Sequence, residues 1–147
     1  MSVDVARLYE RLPHSGSMRL IEQVVQWGPD SVRCRSRNHR DPANPLRTAG
    51  GLRAVCVIEY AAQAAALHAV LLADHDAAAD VTGSKKSRAL LALVNGLELD
   101  TAYLHDGDGD LIVEGNVDYR SGDAVIYRFE AFDGTRPIAR GRLGLTS

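Results

Sequence analysis

Apolar positions are spread unevenly along the chain, and the densest stretch dictates what the rest must do. From Leu52 to Ala73 the sequence reads Leu-Arg-Ala-Val-Cys-Val-Ile-Glu-Tyr-Ala-Ala-Gln-Ala-Ala-Ala-Leu-His-Ala-Val-Leu-Leu-Ala, without Gly or Pro. Ala and Leu, the strongest helix formers, dominate it. A helix of that length spans roughly 30 Å, the width of a small domain. Apolar nearly all the way round, it predicts a helix covered on every side, in a core or a membrane. Glu59, Gln63 and His68 argue against the membrane, where a lone span offers an ionisable group no partner. Gln63 lies one turn after Glu59 on the same face, so two polar groups share one spot on an otherwise apolar helix.

The flanking patterns supply the cover. Val5, Leu8 and Leu12 predict a short amphipathic helix over Val3–Arg11. Leu12-Pro13-His14-Ser15-Gly16-Ser17 ends it. Met18 to Trp27 predicts a strand and Gly28-Pro29-Asp30 a turn. Ser31 to Arg37 alternates, with Val32 and Cys34 on one side and Arg33, Arg35 and Arg37 on the other, as in a half-buried strand with a basic outer face. Asn38 to Gly51, with Pro42, Pro45 and Gly50-Gly51, predicts a loop. Asp74 to Lys86 predicts an exposed polar loop, and Ala89 to Leu99 a buried strand. Leu111 to Tyr119 sets Leu111, Val113, Val117 and Tyr119 against Glu114, Asn116 and Asp118. Ala124–Phe132 and Pro137–Leu145 complete the set, after turns at Ser121-Gly122-Asp123 and Asp133-Gly134. Short turns make these last strands antiparallel. An antiparallel sheet packed on one apolar helix is an α+β architecture.

Composition narrows the reading. A length of 147 residues predicts one domain over 1–147, able to bury a core without disulfides or metal. A net charge of −2 gives no nucleic-acid footprint. Cys34 and Cys56 fit buried thiols in a reducing compartment, and the N-terminus lacks the apolar run of a secretory signal, so a cytoplasmic protein is expected. Asp106-Gly107-Asp108-Gly109-Asp110 imitates the start of a calcium loop. Leu111 stands where such a loop needs Gly and Val117 where it needs Glu, so a plain turn is expected and no metal.

Leu12-Pro13-His14, followed by Met18, Leu20, Ile21 and Glu22, resembles the opening of bacterial 3-hydroxyacyl-[acyl-carrier-protein] dehydratases. Ile58-Glu59-Tyr60-Ala61-Ala62-Gln63 is similar to their Glu-x-x-Ala-Gln helix signature. The likeness is greatest to the dehydratase-like proteins of aryl polyene and related fatty-acid clusters, and it covers most of the chain. The resemblance implies the hot-dog fold, a sheet wrapped round one long central helix. It implies a dimer or larger assembly, homo- or hetero-oligomeric, with sites at the junction. An acyl carrier protein with a phosphopantetheine-linked chain is the implied partner, and no cofactor is required. In the family, a His on the loop before the helix pairs with the helix acid. Pro45 occupies that position here, and Arg53-Ala54 replaces the family's Pro-Gly before the helix.

Dehydrating a 3-hydroxyacyl thioester needs a base for the α-proton, an acid for the departing hydroxyl and a polarised carbonyl. Glu59, if buried, would have a raised pKa suited to the acid. His14, on a loop in the retained motif, is the first candidate base, and His39 the second. His68 should face elsewhere, and His75 and His105 lie in polar segments. Free amides near Ala54 and Val55 could polarise the carbonyl. Gln63 and Arg53 are expected to line the substrate site, and Arg47 and Arg53 to meet an acidic carrier or a phosphate. Two other readings remain open. One is a hot-dog thioesterase, in which a helix carboxylate acts alone. The other is a non-catalytic subunit paired with an active one.

Overall fold

A computed structural model describes residues 3–77 and 90–146. A five-residue helix α1 (Val5–Tyr9) opens the fold, capped by the Asp4 carboxylate accepting from the Arg7 amide. Strands β1 (Gln23–Trp27) and β2 (Ser31–Ser36) follow, then the long helix α2 (Val57–Ala77). Strands β3 (Leu90–Leu99), β4 (Leu111–Ser121), β5 (Ala124–Asp133) and β6 (Arg136–Thr146) complete the chain. All pair antiparallel in one six-stranded sheet, in the order β1-β2-β4-β5-β6-β3. The sheet curls round α2 in the hot-dog arrangement that the resemblance implied.

The helix is apolar nearly all round because the protein covers most of it. Val57, Tyr60, Ala61, Ala64, Ala65, Leu67 and Val70 are all buried. The segment Ala54–His75 is long and apolar enough to cross a membrane by length and composition, but most of its apolar stretch is covered by this fold. His68 turns away from Glu59, as its helical angle required. Its Nδ1 meets the Tyr127 hydroxyl at 2.6 Å and its Nε2 the Gly28 carbonyl at 2.7 Å. That pins the helix to the sheet at both ring nitrogens. The helix continues past its expected end at Ala73 to Ala77; the rest of the loop expected over 74–86 lies outside the described residues.

Two expectations fail for local reasons. The strand expected from Met18 begins only at Gln23, because the backbone before it bonds to side chains instead of a ladder. Leu20 N–H donates to Gln63, Ile21 N–H to the Tyr9 hydroxyl and Glu22 N–H to Ser36 Oγ. In β4 the apolar alternation breaks between Val117 and Tyr119, where the register with β5 shifts. Tyr119 is thereby turned outward, 60% exposed. The β2 alternation holds, with Val32 and Cys34 buried and Arg33 and Arg37 outside. Burial pushes the Cys34 thiol up to about 12, which leaves it inert.

Buried imidazoles make the fold acid-sensitive. Burial holds both His39 and His68 below the usual histidine range, and Arg40 pushes His39 the same way. Asp133 and Asp110 beside His39, and Asp30 beside His68, oppose this only in part. The folded state therefore binds fewer protons than the unfolded one below about pH 6.5. Stability from this source is complete above that pH and declines as pH falls through the window beneath it. Calorimetry should find a lower melting midpoint near pH 5 than near pH 7.5; equal midpoints would contradict the burial.

Candidate active site

The Leu12-Pro13-His14 loop and the first turns of α2 meet on one side of the sheet. His14 Nε2 lies 3.6 Å from Glu59 Oε1, with the two side chains 23% and 35% exposed. That is too long for a hydrogen bond and close enough for proton exchange once a substrate or water closes the gap. Glu59 was expected in a greasy interior; in the single chain its carboxyl instead opens to one side. His14 Nδ1 is buried and has no hydrogen-bond partner among the described residues, so nothing there fixes the tautomer.

Gln63 sits directly behind this pair, fully buried. Its Oε1 accepts from the Tyr9 hydroxyl at 2.6 Å and from Leu20 N–H at 2.9 Å. Its Nε2 donates to the Met18 carbonyl at 2.8 Å and to Glu59 Oε1 at 3.3 Å. Both acceptor sites and both N–H groups are thus used. Gln63 therefore supports Glu59 rather than offering free polar atoms to a substrate. Tyr9, absent from the sequence-based candidates, emerges as part of the site. Its only sequence signal was an aromatic at the end of a short helix.

The other candidates separate. His39 is buried away from this pair, with Arg40, Asp133, Asp110 and the Gly109 backbone acting on its charge. His105 Nδ1 accepts from Leu52 N–H at 3.0 Å. The helix start is only partly as expected. Ala54 to Cys56 form a 3-10 turn with Arg53 ahead of it, exposed. The Ala54 amide is not free, because it donates to the Ala102 carbonyl at 2.9 Å, and its side chain is buried. The Cys56 amide bonds back to the Arg53 carbonyl. Val55, 48% exposed, carries the amide of this turn that has no partner among the described residues. Arg47 and Arg53 carry charges with no carboxylate partner among those residues. Tyr60 closes the loop onto the helix, donating to Asn38 Oδ1 at 2.5 Å and accepting from Asn44 Nδ2 at 2.9 Å. Among the described residues no cluster of His, Cys, Asp or Glu could hold a metal ion.

A family model described as ApeP dehydratase (ApeP-like) matches residues 6–145. The chain belongs to the ApeP dehydratase family. Structural similarity agrees at the level of fold. The dehydratase heterocomplex ApeI:P from Xenorhabdus doucetiae superposes with a TM-score of 0.83 at 20% identity, covering 100% of this chain and 92% of that one. A candidate thioesterase from Silicibacter sp. TM1040 follows at 0.64 and 12% identity, covering 96% and 86%. Another, from Syntrophus aciditrophicus SB, stands at 0.62 and 14%, covering 96% and 93%. Comparison with curated protein sequences gives no match. This chain carries a helix carboxylate with a glutamine behind it, and an imidazole from the N-terminal loop lies beside that carboxylate.

Proposed function

We propose that this chain dehydrates 3-hydroxyacyl thioesters delivered by an acyl carrier protein, with His14 as base and Glu59 as acid. The approach of His14 Nε2 to Glu59 Oε1, from opposite ends of the fold's first half, is the observation that carries the reading. Neutral His14 takes the α-proton at Nε2, and the C–H electron pair becomes the new double bond. The bond to the 3-hydroxyl breaks, and the Glu59 proton leaves with that oxygen as water. Imidazolium and carboxylate remain, and transfer of one proton between them restores the starting state. The Val55 amide, which has no partner among the described residues, is available to polarise the thioester carbonyl.

A second hot-dog chain completes the assembly in this reading. β3 ends the sheet, and its outward Leu91, Leu93, Val94 and Leu99 are 36–46% exposed, an apolar edge that a second sheet would cover. The heterocomplex nature of the ApeI:P relative supports a different chain as that partner. The decisive assay incubates the chain, alone and with its co-purified hot-dog partner, with 3-hydroxyacyl carrier protein. Mass spectrometry should show loss of one water. Release of free thiol without enoyl product would favour the thioesterase reading, to which the helix carboxylate and the thioesterase-like neighbours also lend themselves. No activity in either preparation would leave the role of a non-catalytic subunit.

Arg47 and Arg53, without a carboxylate partner among the described residues, suit the phosphopantetheine phosphate or the acidic carrier surface. Arg53→Glu should raise KM for the carrier-bound substrate by about tenfold, a loss of the size expected for a charged contact, with kcat nearly unchanged. An unaltered KM would remove Arg53 from the substrate path.

A further inference from the structure

We propose that Tyr9 is a positioning residue that, through Gln63, fixes which oxygen of Glu59 delivers the proton. The inference rests on the dehydratase reading and names atoms within it. Glu59 Oε1 faces Gln63 Nε2 at 3.3 Å, and this nitrogen can only donate. A proton on Oε1 would oppose that donor, so the acid form carries its proton on Oε2. Oε2 is then the atom that protonates the departing hydroxyl, while Oε1 stays an acceptor toward Gln63.

The assignment depends on the Gln63 amide holding its orientation. Turned over, it would set N–H against the Leu20 N–H and oxygen against the Met18 carbonyl. Tyr9 adds to this, because its O–H donates to Gln63 Oε1 at 2.6 Å and would lose that acceptor if the amide turned over. Burial, above all, pushes the Tyr9 phenol well above its usual range, so it keeps its proton and donates at any working pH. The Ile21 N–H, donating to the same oxygen at 2.9 Å, holds the hydroxyl in place. Tyr9 also touches the base's side of the site. Its ring meets the edge of His14 with centroids 6.3 Å apart, and the Arg19 guanidinium lies 5.5 Å over its face. Arg19 Nε in turn donates to the His14 carbonyl at 3.0 Å. One buried side chain thus reaches the supports of both reacting groups.

Steady-state kinetics of the assembled protein test this with Tyr9→Phe, Gln63→Leu and the double variant. Tyr9→Phe should lower kcat about tenfold, well within the cost of a misplaced catalytic group, with KM within about twofold. Because the two residues act in series, the double variant should be no slower than Gln63→Leu alone. Wild-type kcat in Tyr9→Phe, or losses that multiply in the double variant, overturns the relay. Should Gln63→Leu fail to fold, Tyr9→Phe, which keeps the ring, decides alone. If the wild type forms no enoyl product, the dehydratase reading falls by itself, and the relay is then judged by NMR titration of His14. Tyr9→Phe should move the midpoint of the His14 imidazole, and should leave it unmoved in a Glu59→Gln background. An unmoved midpoint in Tyr9→Phe on the native background overturns the relay independently of any turnover.

Discussion

Glu59→Gln should reduce enoyl formation by about a thousandfold, in the range expected when a general acid is removed, while leaving the melting temperature within a few degrees. Gln has the shape of Glu, and its amide oxygen can still accept the Gln63 N–H now received at 3.3 Å. Only the transferable proton is lost. The fold should tolerate the change because the side chain is already 35% exposed and anchors no buried partner apart from Gln63. His14→Ala should cost about as much, and the double variant little more, since the proposed base and acid serve one concerted step. Retention of a tenth or more of wild-type turnover in Glu59→Gln would remove this carboxyl from the chemistry.

Gly51→Ala should lower stability by about 3 kcal/mol, the range of severe backbone and packing conflicts, or roughly 10 °C in melting temperature. Gly51 adopts φ +108°, where a side chain is strained, and a Cβ there would lie 2.1 Å from His105 Cε1. The consequences run past the clash. His105 Nδ1 accepts the Leu52 amide, Leu104 N–H donates to the Leu52 carbonyl, and Ala54 N–H donates to the Ala102 carbonyl. These bonds lace residues 102–105 to 52–54 and so hold the turn from which α2 starts. Displacing His105 loosens the Val55 amide as well, so activity should fall alongside stability. Thermal melts and turnover measured together check this; an unchanged melting point would mean the loop can absorb a methyl group.

Much of this site could be read from the sequence. The long apolar run contained one acid and one amide a turn apart, and both face the His14 loop. The strands followed from alternation and Gly-bearing turns, since Gly122 and Gly134 take the left-handed conformations that hairpins require. What escaped was everything set by contacts distant in sequence. Tyr9 gives no periodic signal, because its importance comes from Gln63 and Ile21 arriving beside it in space. The amide at Ala54 was expected to be free because helix starts leave donors unpaired; the loop carrying Ala102 satisfies it, and local sequence does not encode that loop's position. The carboxyl of Glu59 was expected to be enclosed because the helix is apolar, yet a single chain covers only part of that helix face.

The bare margin of β3 bears on the life of the polypeptide in the cell. Among the described residues no strand pairs with its outer side, and the amides and carbonyls there, flanked by leucines, would accept an extended strand as the edges of aggregating sheets do. A copy without the partner proposed above would be a substrate for chaperones or a seed for precipitation. Under the proposed pairing, matched synthesis of the two chains would then protect this one from its own edge.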